Sequence, residues 1–296
     1  MRYNQFSFSV NNFGPPDKVF SFVMFSFNTN SPALKPNHQS PILYSCYTLK
    51  SRSGENFVSD HCICYVQAGL LEVELPEEKI SFSAGEAFFV RRNLLAKFTK
   101  NPVEGGEFKS ISILFTQETL KEIALEKKLN ADKNEDTPPA LVKLQTDGLL
   151  KNYFESLPAY EGASGAESLI RLKVEEGILL LLNRHSELKN KLFDFSEPGK
   201  IDLESFMNKN FRFNVEMKRF ATLTGRSLAT FKRDFAKTFA ISPNRWLQKK
   251  RLEEARYLIK EKGRKPSEVY LEVGFEDLSH FSFAFKKAFG ISPSFI

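Results

Sequence analysis

The sequence predicts an α+β chain of two domains: an N-terminal small antiparallel β-barrel accompanied by helices, then an all-α C-terminal domain. Three observations predict it. The 296 residues are too many for one small core and suit two domains. Short β-rich runs occupy residues 20–115, whereas almost everything beyond Ile201 carries a helical pattern. The net charge of +6 also divides unevenly: Lys200 to Ile296 holds 20 Lys+Arg against 11 Asp+Glu, or +9, while Met1 to Gly199 holds 22 against 25, or −3. A basic module beside a mildly acidic one suggests that the first meets a polyanion.

In chain order, Met1 to Gln5 lacks a basic region followed by an apolar core, so no secretory signal is expected. No apolar run approaches the ~18 residues of a membrane span. The three cysteines, Cys46, Cys62 and Cys64, are an odd and sparse set that reads as reduced thiols in a cytoplasm. Ile63 to Val66 and Leu71 to Leu75 flank Gly69; Ile80 to Phe82 and Ala87 to Val90 flank Gly85; Phe108 to Phe115 alternates or runs apolar. Such runs with intervening turn residues fit a small barrel or sandwich. Asn130 to Thr137 and Pro138-Pro139 mark a loop. The period then changes, and Leu169, Ile170, Leu172, Val174, Ile178, Leu179 and Leu182 predict a helix over about 168–183. Ser196, Glu197, Pro198 and Gly199 mark an interdomain linker at 191–200.

The C-terminal part repeats itself. Lys237-Thr238-Phe239-Ala240-Ile241-Ser242-Pro243 returns as Lys287-Ala288-Phe289-Gly290-Ile291-Ser292-Pro293, and Phe231 and Phe235 return as Phe281 and Phe285, an offset of 50. Gly225 returns as Gly274, an offset of 49, so the second turn is one residue longer. Each copy has the parts of a helix-turn-helix. A short helix (215–223 or 267–273) ends at a glycine able to take positive φ. An N-cap, Ser227 or Asp277, opens a second helix whose paired Phe residues at i, i+4 face a core. Ser242-Pro243 starts a further helix over about 243–261, roughly 28 Å long. A rod of that length would hold two reading units about one turn of B-DNA apart. Two copies are too few for a solenoid.

These phrases, from Ser227 through Phe239 to Pro243, Arg251 to Ala255, and Val273-Gly274-Phe275 through Phe285-Lys286 to Pro293, resemble the AraC/XylS family of bacterial transcription regulators over about 95 residues. The N-terminal part is similar to the cupin-like barrel often joined to that domain. Phe88-Phe89-Val90-Arg91-Arg92 resembles the branch that activates type III secretion genes, where a partner protein controls activity. The resemblance implies a regulator acting on double-stranded promoter DNA with RNA polymerase, more often as an activator, in the cytoplasm, with no cofactor. It implies a sensor barrel at 1–140, a helical dimerisation region at 141–190 and a DNA-binding domain at 201–296. A homodimer is expected, and either a small-molecule effector or a regulatory protein acts on the barrel.

In the family the second helix of each unit enters the major groove. The matching outward positions are Ala229, Lys232 and Arg233 in the first unit, and Ser279, Ser282 and Phe283 in the second. Arg233 suits a bidentate pair with guanine O6 and N7. Lys218, Arg219, Arg245 and Lys286 are expected on phosphates, which position the protein without reading sequence. Two departures stand out. Phe283 occupies a place usually polar or cationic; it either meets a thymine methyl or adds to the core. Tyr270 stands where the first unit has the small Ala221. The first unit is therefore expected to carry most of the hydrogen-bonded readout.

A cupin-type metal enzyme is the rival reading. Its site needs converging His and carboxylate ligands, but the N-terminal part offers only His38 and His61, and His61 and Cys62 face opposite sides of a strand. Neither a glycine-rich phosphate loop nor a nucleophile–base pair is evident, so no enzyme and no metal are expected. A protein-interaction module is the third reading. It rests on the helix at 168–183, which is apolar on more than one side.

Overall fold

The computed structural model describes residues 40–52, 57–131, 139–160 and 165–296. The strands expected within 20–39, His38, the N-terminal five residues and most of the polar loop at 130–139 lie outside the described residues.

The N-terminal domain is β-rich and built in layers. One sheet joins β1 (Ile42–Tyr47), β10 (Phe108–Phe115), β4 (His61–Ala68), β7 (Ala87–Val90) and β11 (Leu141–Leu144), in that order. A second joins β2 (Ser51–Arg52), β9 (Lys97–Asn101), β5 (Leu70–Glu74) and β6 (Lys79–Ser83). Two short strands, β3 (Phe57–Val58) and β8 (Leu94–Leu95), form a third pair. The Gly69 and Gly85 turns are corners: at each the chain passes between the first and second sheets. Among the described residues these are separate sheets, with no ladder closing them into a barrel.

The pleat of β4 explains the layers. Cys62, Cys64 and Val66 face the second sheet and share a core with Leu71, Val73, Phe82, Phe88 and Phe98. The rings of Phe82 and Phe88 stack there at 4.0 Å. Ile63 and Tyr65 face the other way, toward α1 (Gln117–Lys127), α2 (Gly148–Ser156) and α3 (Glu167–Arg184), burying Ile123, Phe154, Val174, Ile178 and Leu181. The stretch expected as linker is more ordered than its composition suggests. A 3₁₀ turn at Ser186–Leu188 and α4 (Lys189–Leu192) precede it, and Leu188, Leu192 and Phe193 are buried in the helix-side core. Chain with neither helix nor strand then runs from residue 194 to 202.

The C-terminal domain has two small cores strung on one helix. The first, around Phe220, Phe231 and Phe235, gathers α5 (Leu203–Asn210), α6 (Met217–Leu223) and α7 (Leu228–Phe239). The second, around Val269, Phe281 and Phe285, gathers α9 (Pro266–Glu272) and α10 (Leu278–Phe289). The rod α8 (Pro243–Lys260), opened by Pro at its first position, gives Trp246 and Leu247 to one core and Leu252, Ala255 and Ile259 to the other. Its 18 residues span about 27 Å. The short helix α6 starts at Met217, not Val215, because Glu216 is still extended, and α9 starts one residue early at Pro266.

The two domains touch. Phe57 and Leu95 of the β3–β8 pair are buried in the first helical core. Lys97 of β9 is 3% exposed and donates to the Glu272 carbonyl at the end of α9 (2.6 Å). Lys209 pairs with Glu77 at 2.6 Å.

Candidate nucleic-acid interface

Both second helices begin with a side-chain cap. Ser227 Oγ accepts from the Thr230 N–H (3.2 Å), and Asp277 Oδ1 from the His280 N–H (2.7 Å). Each cap satisfies a backbone donor that helix geometry leaves unpaired. The glycines before them hold φ of +65° at Gly225 and +98° at Gly274. Space is tight at both: a Cβ on Gly225 would lie 2.4 Å from the Gly199 carbonyl, and one on Gly274 would lie 2.7 Å from the Arg212 carbonyl. Each turn therefore needs glycine for conformation and for room.

With Phe231 and Phe235, or Phe281 and Phe285, fully buried, the helical period decides what faces outward. Ala229, Lys232 and Arg233 are exposed on α7, and Ser279 and Phe283 on α10. Phe283 is 69% exposed, which removes the reading of it as core. The Arg233 guanidinium leans only loosely on Asp234 (3.8 Å), a carboxylate already shared with Arg226 and Lys200. Ser282 is half-buried, and its hydroxyl donates to the Leu278 carbonyl (2.8 Å), so its proton is spent on its own helix.

The four expected phosphate cations divide. Lys218, Arg245 and Lys286 are exposed. Arg219 is different: it is half-buried, with its guanidinium 4.5 Å from the centre of the Phe57 ring. The expectation of a free cation there yields to a cation–π contact across the domain boundary. Tyr270 is accommodated by lying half-buried at the edge of the second core, whereas its counterpart Ala221 is 1% exposed.

The residue that sequence reasoning undervalued is Arg251, midway along α8. Its guanidinium donates to the carbonyls of Phe211 (2.8 Å), Phe213 (2.9 Å) and Gly274 (3.0 Å), and to Asn214 Oδ1 (3.4 Å). It thereby bolts the chain entering the first unit to the turn of the second. Burial depresses its pKa to about 10. The sequence signal was only that Arg251 opens a phrase shared with the family.

Among the described residues no group of three or more His, Cys, Asp or Glu is placed to hold a metal ion. No helix of the described chain is long and apolar enough to cross a membrane.

Two capped helices of matching length, each opening an exposed face beside a glycine turn and joined by a rigid rod, define a double helix-turn-helix protein with a separate β-rich domain. A helix-turn-helix domain model matches residues 220–296, and a model of the ExsA N-terminal regulatory domain matches residues 61–195. Together these two matches, over residues 61–195 and 220–296, are to domains of AraC/XylS-type transcription regulators. It is 26% identical over 165 residues to the thermoregulatory protein LcrF of Yersinia pestis, covering 55% of this chain and 61% of that protein. It is 26% identical over 234 residues to the HTH-type transcriptional regulator ExsA of Pseudomonas aeruginosa, covering 76% of this chain and 83% of that one. A crystal structure of an apo ToxT variant from Vibrio cholerae overlays 88% of this chain and 97% of its own at a TM-score of 0.42 and 14% identity.

Proposed function

We propose that the chain is a sequence-specific activator of transcription that binds double-stranded promoter DNA through α7 and α10 and works with RNA polymerase. The observation that carries this is the outward face of α7, where Lys232 and Arg233 stand exposed beside a capped helix start. Arg233 reads guanine, Lys232 reaches a base or phosphate, and Ala229 allows close approach. On α10, Ser279 serves as donor or acceptor, Ser282 as acceptor, and Phe283 lies against a thymine methyl. Lys218, Arg245 and Lys286 hold phosphates. The cytoplasm is the compartment this activity requires.

The β-rich domain, read as a member of the cupin-like barrels, senses an effector or a regulatory protein. The middle helices pair two copies of the chain. On α3, Leu169, Leu172 and Leu179 are 53%, 59% and 43% exposed along one side, which supports a dimer stripe. The test is binding of the full chain to genomic fragments followed by fluorescence anisotropy on the enriched sequence. Specific sites should bind at least ~10³-fold tighter than random duplex at physiological salt. Equal affinity for all duplexes would remove the reading.

A further inference from the structure

Where β4 starts and β7 ends, Cys62 pairs with Val90, which brings Arg91 and Arg92 beside His61. His61 is 2% exposed, and its ring stacks on Phe89 at 5.6 Å. Its Nδ1 accepts the Arg92 backbone N–H at 3.2 Å. Burial, followed by the charges of Arg92, Lys191 and Arg91, holds the ring neutral, with a pKa of about 3. A neutral ring whose Nδ1 accepts must carry its proton on Nε2. That buried N–H has no acceptor among the described residues, and neither does the buried Nε–H of Arg91. Native interiors rarely leave such donors unmatched.

The charges around them are unbalanced. Arg91, Arg92 and Lys191 crowd together, and the pKa of Lys191 is pushed down by burial and then by Arg91. Arg92 is occupied, donating to the carbonyls of Asp194 (3.0 Å) and Ser196 (2.8 Å). Asp194 is the carboxylate that offsets these cations, and it is itself capped by the Ser196 N–H (2.9 Å) and hydroxyl (2.5 Å). Asp60, which also feels Arg92, is buried enough to raise its pKa and takes the Ser59 hydroxyl at 2.7 Å. Two orphan donors therefore remain where three cations, Arg91, Arg92 and Lys191, outnumber the nearby carboxylates Asp194 and Asp60.

We propose that this cluster is a binding site for a small oxyanion, a phosphate or a carboxylate, held by the Nε2–H of His61, the guanidinium of Arg91 and the ammonium of Lys191. Planar and charged donors of this kind recognise oxyanions with short, charge-assisted bonds. Arg91 and Lys191 are only half-buried, which leaves a way in. The site lies where the end of β7 meets the stretch after α4, through Arg92 on the Asp194 and Ser196 carbonyls, so an occupant would fasten the start of the connection to the helix-turn-helix domain. It also gives a role to the arginines of the Phe88 to Arg92 phrase that DNA contact leaves unused.

The test is ¹⁵N-histidine NMR on the full chain. The His61 signals are assigned by their loss in a His61→Gln variant. Inorganic phosphate and acetate are added separately, at ionic strength held constant with sodium chloride. A saturable shift of the His61 signals is expected with at least one anion, and the tighter of the two names the chemistry. Lys191→Met and Arg91→Gln should each weaken binding about tenfold. Lys191→Met alone carries the test if Arg91→Gln does not fold, because Lys191 lies at the rim. Signals that stay still, or that move equally in chloride or in a folded Lys191→Met variant, would overturn the proposal.

Discussion

Replacing Arg251 with Met tests the two-unit architecture most directly. Methionine keeps the stem and removes donors to three carbonyls at 2.8–3.0 Å. Charge-assisted bonds of this kind contribute about 1.5–3 kcal/mol each. They are not additive, and the substitution also relieves a buried charge whose cost shows in the pKa of about 10. The net loss expected is about 2–4 kcal/mol. For a domain of about 100 residues, each kcal/mol moves Tm by about 4–8 °C, so calorimetry on the full chain should show the helical domain melting roughly 8–32 °C lower. Arg251→Lys keeps the charge but not the fork, and should recover less than half of the loss. The partners span both units, so DNA affinity should fall beyond what unfolding explains, as the two recognition helices lose their common orientation. A change below ~0.5 kcal/mol in urea unfolding, with wild-type affinity for a two-site duplex, would refute the reasoning.

The DNA-facing cations should separate by role. Arg233→Ala should cost about 1–3 kcal/mol on the preferred site and little on random duplex, whereas Phe283→Ala should cost less; the reverse order in anisotropy titrations would reassign the readers. Lys218→Ala, Arg245→Ala and Lys286→Ala should each lower the salt slope by about one, while Arg219→Ala, engaged with Phe57, should leave it unchanged. Lys100 is 3% exposed, its ammonium donates to the Ser45 and Tyr47 hydroxyls at 3.3 Å, and burial lowers its pKa to about 8. A depressed folded-state pKa means that the unfolded chain binds the proton more tightly, so stability should rise with pH from about 8 to the ordinary lysine value. Lys100→Met should remove that rise and be the more stable protein at pH 7 by up to about 3 kcal/mol, a gap that closes by pH ~10 in parallel melts. Light scattering should give a concentration-dependent mass that Leu172→Glu reduces to monomer, with Tm essentially unchanged because Leu172 is exposed.

The helical domain was legible because its signals are local. The Phe231/Phe235 pair and its copy fifty residues on mark buried faces, and Ser227, Asp277 and the two glycines punctuate them. The β-rich domain was legible only in outline. Both faces of β4 are covered, one by the second sheet and one by helices, so its sequence shows no alternation to reveal which side is which. Strands of two residues such as β3 and β8 carry no pattern at all. Arg219 was misplaced because Phe57 lies over 160 residues away in sequence, and Arg251 was undervalued because its acceptors are about 20–40 residues distant. The stretch at 187–193 is polar by composition, yet a few apolar residues, Leu188, Leu192 and Phe193, suffice to anchor it.

The contacts of the β-rich domain fall on both helix-turn-helix units: Phe57 and Leu95 enter the core of the first, and Lys97 holds the last carbonyl of α9 in the second. A body that grips both heads acts as a gauge. The isolated helical domain, its width set by α8, Arg251 and the Asn214–Glu276 bond, should accept operators whose two halves are a base pair too near or too far. The full chain should reject them. Promoter choice would then be filtered by length as well as by letters, and whatever loosens the grip at Lys97 would widen the set of genes within reach.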